Sequence, residues 1–417
     1  MGSMSDLPRS EALVRRLREY YWDWQLNRTL PARARLERAR DRRGPVSDDP
    51  GAGPAIDASL AWLCRAQDCS ASADGGVARH FSLLSGWGES YPETTGYIIP
   101  TMVECGRDLH RGDLLQRGRR MLDWCVEVQL STGPFQAGTI SAQPRVPSTF
   151  NTGQVLLGLA CGARAFGDTK YLQAMHGAAA WLRQTQDEDG CWRRFPTPFA
   201  RSGEKTYETH VAWGLFEAAR IAPEAGYGEA GLKQVRWALT KQRDNGWFAD
   251  CCLDDPARPL THTIGYALRG VLEAHRFRPE DFLLGAARRT GSALLRSMEP
   301  SGRIPGRLDA RWRPAVSWVC LTGTVQIAHC WLMLFEHTGE RWFLEGAQKA
   351  NAFVRRLVKT EGDPDVVGGV KGALPISGPY GRYEYLSWAA KFFVDSNRYE
   401  ARLIAGRGQG GNSADAR

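Results

Sequence analysis

Three carboxylates and two imidazoles occupy positions from which they could move protons. Glu93, Glu208 and Glu384 lie at or just before the start of strongly apolar stretches, and so do His210 and His262. Hydrolysis of a glycosidic bond needs a carboxyl pair, one member protonated and one ionised. An imidazole or carboxylate beside a carbon next to a carbonyl could instead remove and return a proton, as in epimerisation or elimination. Groups suited to holding a polar substrate accompany them: Tyr91, Asn151, Tyr207, Tyr380, Arg382 and Tyr385. The Gly-rich segment 368–385, with interleaved Tyr and Arg, would let a ligand approach backbone while rings stack on it. Within it, Arg382 could grip a uronate or phosphate with both arms of its fork.

Each Glu taken alone also suits a helix start, where a carboxylate meets the positive end of the helix dipole. Thr or Asn there would cap the helix. Capping does not explain why Glu, His, Tyr and Asn share one recurring slot, and that recurrence leads to the elements that must position them.

The slot recurs as Glu93-Thr94-Thr95-Gly96-Tyr97, Phe150-Asn151-Thr152-Gly153-Gln154 and Tyr207-Glu208-Thr209-His210-Val211. Weaker copies centre on Thr263, Thr322 and Ser387, giving six copies about 57 residues apart. Each opens a nearly all-apolar stretch, the mark of a helix buried on every side. Between them runs a second, amphipathic helix type with its own signature, such as Trp181-Leu182 with Gln186, Gly190 and Trp192, or Trp237 with Gln242, Gly246 and Trp247. The Gly ends this outer helix and turns the chain toward the next inner one. Six alternating hairpins predict an all-α (α/α)6 toroid over residues 55–402, whose inner-helix starts surround one mouth. Asp250, Asp254 and Asp255, which follow an outer helix, are expected at the opposite face.

The stretch Trp181-Leu182-x3-Gln186-x3-Gly190-x-Trp192 resembles the QW repeat of terpenoid cyclases and their prenyltransferase relatives, which are α/α toroids. The resemblance implies the fold and, as an alternative function, a terpenoid-cyclase-like enzyme. The Asp-x-Asp-Asp acid of such cyclases has its nearest counterpart in Cys252-Leu253-Asp254-Asp255, with Cys at the first position. Asp250-x-Cys252 has the spacing of the zinc pair of protein prenyltransferases but lacks a matching His, so no metal or cofactor is expected. Ser90-Tyr91-Pro92-Glu93-Thr94-Thr95-Gly96-Tyr97 is similar to a segment of bacterial toroid proteins associated with exopolysaccharide synthesis, and loosely to one in D-glucuronyl C5-epimerases. These similarities imply a carbohydrate-active enzyme of polysaccharide or glycoconjugate biosynthesis. A glycan-binding toroid without catalysis is the remaining alternative.

The chain has 417 residues and a net charge of +8, but residues 1–43 hold 11 Arg against 6 acids. A basic, aromatic amphipathic helix is expected over residues 8–43, as a rim element or a peripheral membrane or polymer contact, followed by a linker to residue 54. The nearly neutral body gives no reason to expect a nucleic-acid partner. Arg15, Arg16, Arg18 and Glu19 interrupt what would be a secretory apolar core, so a cytoplasmic protein with reduced cysteines is expected. The Gly-rich end, residues 403–417, reads as a disordered tail.

Overall fold

A computed structural model describes residues 28–198, 200 and 203–410. A short helix, α1 (Ala32–Arg43), precedes six helical hairpins. The outer members are α2 (Ala52–Asp68), α4 (Gly112–Val128), α6 (Thr169–Thr185), α8 (Tyr227–Thr240), α10 (Asp281–Ser297) and α12 (Arg341–Arg355). The inner members are α3 (Pro92–Asp108), α5 (Thr149–Phe166), α7 (Thr209–Ala219), α9 (Thr261–Phe277), α11 (Leu321–Thr338) and α13 (Ser387–Gly410). Each inner helix packs on the next, and α13 returns to α3, closing the ring as an (α/α)6 toroid. In α5 every residue from Thr149 to Gly162 is buried, whereas α4 buries one stripe, Leu114, Gly118, Met121, Leu122 and Cys125. Full burial of each such aliphatic side chain contributes about 1.5–3 kcal/mol, which sorts the two helix types into two rings.

The outer-ring signature is a staple. The amides of Gln129 and Gln186 donate both to the carbonyl of the Gly four residues on, Gly133 (2.7 Å) or Gly190 (2.9 Å), and to a carbonyl of the next outer helix, Ala174 (2.9 Å) or Ala230 (2.9 Å). Gln67 repeats the arrangement with Gly75 and Arg117, and Gln242 reaches Ala286. The glycines have positive φ, and Gly133, Gly190 and Gly246 lie against the backbone of that same next helix, leaving no room for a Cβ. The last of them closes the circle: at Gly368 (φ +82°) a Cβ would stand 1.9 Å from the carbonyl oxygen of Ala58 in α2. Gly368→Ala is therefore expected to cost at least about 2 kcal/mol, read as a lower midpoint in denaturant unfolding. Unchanged stability would show that the ring closes by other contacts.

The inner-ring slot also differs from a simple cap. Val77 N–H donates to Thr95 Oγ1 (2.9 Å) and Phe135 N–H to Thr152 Oγ1 (3.0 Å), tying each incoming loop to the inner helix. The side-chain cap of α5 is Ser148, which accepts from Asn151 N–H, and α3 starts at Tyr91 with Pro92 and no side-chain cap. Gly96 and Gly153 allow the neighbouring inner helices to approach within contact of their backbones.

Short strands brace the mouth: β1 (His80–Ser82), β2 (Gly86–Trp87), β3 (Val319–Cys320), β4 (Ala373–Leu374) and β5 (Glu384–Leu386), paired antiparallel as β2-β1-β5 and β3-β4. The β1–β5 pair joins the first and last hairpins.

The chain ends differ from expectation. The aromatics Tyr20, Tyr21, Trp22 and Trp24 lie outside the described residues. Helix α1 has no apolar stripe; Leu36 is 72% exposed, and Glu37 is the side chain that it buries besides Ala34. The toroid begins at Ala52, inside the segment expected as linker, and α13 runs to Gly410, into the segment expected as tail. No helix among the described residues is long and apolar enough to cross a membrane. The ten cysteines are all unpaired.

Candidate active site

The mouth ringed by the inner-helix starts holds a cavity of about 400 Å3. Its walls are largely aromatic: Tyr91, Phe150, Tyr207, Tyr266, Trp318, Tyr380 and Trp388 all line it. Phe150 packs edge-on to Tyr207 at 5.5 Å and lies 5.1 Å from Tyr266, while Tyr380 accepts a hydrogen bond from Trp388 Nε1 (2.8 Å). Polar groups enter at few points. Arg79 and Arg307 line the cavity, as do Glu93, His262 and Asp254.

Glu93 sits half-buried in the first turn of α3. Burial pushes its carboxyl up to about 7, against the hydrogen bond from Tyr91 and the charge of Arg79. A carboxyl poised there can both give and take a proton near neutral pH. Across the wall, His262 lies 4.4 Å from the Tyr266 ring and 5.5 Å from Tyr380. Burial holds it down to about 4, so it is a neutral imidazole. Its Nδ1 pairs with Gln326 Oε1 at 2.7 Å, an acceptor, which assigns the proton to Nδ1 and leaves Nε2 as the free acceptor.

Five of the residues singled out in the sequence thus share one cavity: Tyr91, Glu93, Tyr207, His262 and Tyr380. Asn151 stands behind Tyr91 and donates to Gln136 O (3.0 Å). The others do not line the cavity. Glu384 forms a salt bridge with Arg79 (3.1 Å) and orients that guanidinium, which also lies 5.1 Å from the Trp388 ring. His210 is buried at the centre of the ring, with Nδ1 paired to Gln154 Oε1 (2.7 Å). Arg382 is exposed and lies over the Tyr383 ring. Tyr385 is buried on the side of α1 and Glu37.

Glu208 is 2% exposed, and its Oε2 has no hydrogen-bond partner among the described residues. Burial pushes its carboxyl up to about 8 against the charge of Lys205, so the folded protein keeps its proton at neutral pH. Between the ordinary carboxyl range and about 8, only the unfolded chain has released this proton, so stability falls as pH rises through that window. Glu208→Gln removes that slope. The variant is expected to gain on the order of a few kcal/mol relative to the parent between pH 5 and pH 9. Equal differences at both pH values would refute a buried protonated acid.

Sequence reasoning missed Arg79, Arg307, Trp318 and the cavity-facing position of Asp254. The loop after each outer helix is also the loop into the next inner helix, so its residues reach the inner-helix mouth and not the opposite face. Asp254 is on that rim, bound at two points by Arg307 (2.8 and 3.0 Å). The available signal was the repeat itself: Arg79 and Arg307 follow Gly75 and Gly302 by four and five residues.

No protein-family model matches the chain, and no curated protein sequence does. Solved structures do. An unsaturated glucuronyl hydrolase specific for heparin superposes with a TM-score of 0.68 at 14% identity, covering 84% of this chain and 97% of that one. A D-mannose isomerase matches at 0.67 and 9% identity, over 84% and 96%. Cellobiose 2-epimerase from Bacillus thermoamylovorans B4167 matches at 0.65 and 9% identity, over 82% and 98%. At these identities the likeness shows the shared toroid fold.

Proposed function

We propose that the protein is a carbohydrate-active enzyme whose cavity carries out proton transfer on a saccharide, with Glu93 as the group that exchanges the proton. The observation that carries this reading is a half-buried carboxyl held near neutrality inside an aromatic cavity. Sugar rings present apolar faces that stack on tyrosine and tryptophan, and hydroxyls that need polar partners at a few points. His262, neutral with Nε2 free, serves as acceptor for a substrate hydroxyl, and Arg79 holds an oxygen that gains negative charge. The similar structures are named for glucuronyl hydrolysis, epimerisation and isomerisation of sugars, which supports a saccharide substrate.

Epimerisation or elimination fits better than hydrolysis by a carboxyl pair. The second carboxylate of the lining, Asp254, is 57% exposed in its side chain and held at two points by Arg307. The aromatic lining also suits the alternative terpenoid cyclase, since rings stabilise cations. Two guanidinium groups in the same walls would repel a carbocation, which favours the saccharide.

An isotope experiment tests the reading. Reducing and uronic disaccharides are incubated with the protein in deuterated water and, separately, in 18O water. Deuterium at carbon is the expected result of epimerisation, and an unsaturated sugar product that of elimination. Cleavage of the disaccharide with 18O incorporation beyond the spontaneous exchange of the reducing end, and without deuterium at carbon, would establish hydrolysis, and turnover of a prenyl diphosphate would overturn the saccharide assignment.

A further inference from the structure

A second cavity, of about 410 Å3, lies at the other end of the ring among the C-terminal halves of the inner helices. Rings separate it from the first: Tyr97 and Phe392 lie 5.5 Å apart, and His210 and Tyr266 4.4 Å. Seven of its lining side chains are arginine or lysine, against four carboxylates. Converging helix C-termini attract cations, and that accounts for part of the excess.

The pairing accounts for less of it. Glu217 is shared by Arg164 (3.1 Å) and Arg220 (2.6 Å), and the buried Glu273 by Arg269 (2.8 Å) and Arg276 (3.4 Å). Each of these trios keeps one positive charge in excess, while Arg398, between Glu104 (2.8 Å) and Asp108 (2.6 Å), leaves one negative charge over at the rim. The Arg269 side chain is 11% exposed and gives Nε to Glu273; its terminal nitrogens have no hydrogen-bond partner among the described residues. Its guanidinium lies 4.1 Å from the centre of the Trp213 ring. Lys391, 3% exposed, stands 5.9 Å from the same ring, with a single ion pair to Asp395 (2.7 Å), which also accepts from Thr101 (2.7 Å). Two nearly buried cations thus flank one indole at the floor of a cavity with donors to spare.

We propose that this cavity binds a tetrahedral oxyanion, phosphate or sulfate, free or carried on a small ligand. Arg269 and Lys391 hold it at the floor, and the Arg164–Arg220 pair closes over it from the rim. Guanidinium forks match such an anion at two points each, and low local polarity strengthens every contact. The assignment is independent of the reaction in the first cavity.

The experiment is calorimetric titration of inorganic phosphate into the full chain at low ionic strength. Saturable one-site binding with Kd near or below about 1 mM is expected. Arg269→Gln should weaken it at least about tenfold and Arg164→Gln severalfold, while Arg79→Gln in the first cavity leaves it unchanged. Arg164 is 49% exposed, so its variant reports on binding without endangering the fold. Absence of saturable binding, or loss in Arg79→Gln with retention in Arg164→Gln, would overturn the proposal. A phosphorylated sugar binding more tightly than phosphate identifies a ligand-borne group; equal or weaker binding identifies the free ion.

Discussion

Glu93→Gln is expected to lower kcat by about 10²- to 10⁴-fold while leaving the fold and KM close to those of the parent. The amide keeps the shape of the side chain and its contact with Tyr91 but can neither accept nor release the proton. Because the carboxyl is held at about 7, chiefly by burial, the parent's rate should turn over near that pH. If Glu93 acts as base, kcat/KM rises through pH 7; if it acts as acid, it falls there. Either limb should vanish in the glutamine variant. The His262 imidazole, held at about 4, adds a limb only in acid, where protonation blocks Nε2. Full activity of Glu93→Gln on a confirmed substrate would remove Glu93 from the mechanism.

The second large effect is structural and lies outside the cavity. The Lys371 ammonium, 3% exposed, is enclosed by Glu37 (2.6 Å) and Asp41 of α1, and Lys359 also pairs with Glu37. Asp41 accepts from Ile376 N–H at 2.6 Å as well. Burial works to raise the Glu37 carboxyl, yet the two lysines outweigh it and hold it at about 2. Lys371→Met leaves two buried carboxylates short of their shared cation, at a cost of about 3–5 kcal/mol. The loss should be largest near neutral pH and shrink in acid, as Glu37, held low in the parent by its two lysines, takes up a proton in the variant that the parent's does not; burial already raises the Asp41 carboxyl in the parent. Pairing it with Glu37→Gln should recover part of the stability, a coupling that a double-mutant cycle measures. A Lys371→Met protein within about 1 kcal/mol of the parent would show that the cluster does not hold the fold. The same cluster anchors the segment that carries Tyr380, so α1 secures one wall of the cavity from outside the ring.

The helix pairs and their order were legible in the repeat. Gln129, Gln186 and their glycines recur because each outer helix must be joined to the next by the same bonds. Thr95 and Thr152 recur because each incoming loop must be tied to an inner helix. These are nearest-neighbour requirements, so they print a period on the sequence.

The direction of a side chain within a slot was not legible, and one residue decides it. Glu93, Phe150 and Tyr207 each stand two places before the slot's threonine, and all three line the cavity. Asn151 and Glu208 stand one place before it, and both point away into the packing. A single step turns a side chain by roughly 100° about a helix axis, enough to move a carboxyl from the cavity into the wall. In α9 the chain enters at another rotation, so His262, one place before Thr263, does line the cavity. Arg79 and Arg307 arrive through loops whose paths follow from neighbouring hairpins, and Glu384 finds Arg79 only because the last strand pairs with the first. The sequence by itself determined the ring and the level at which each residue stands along its axis. Which residues face inward was decided by the rotation of packed helices and by contacts between the two ends of the chain, which no local pattern encodes.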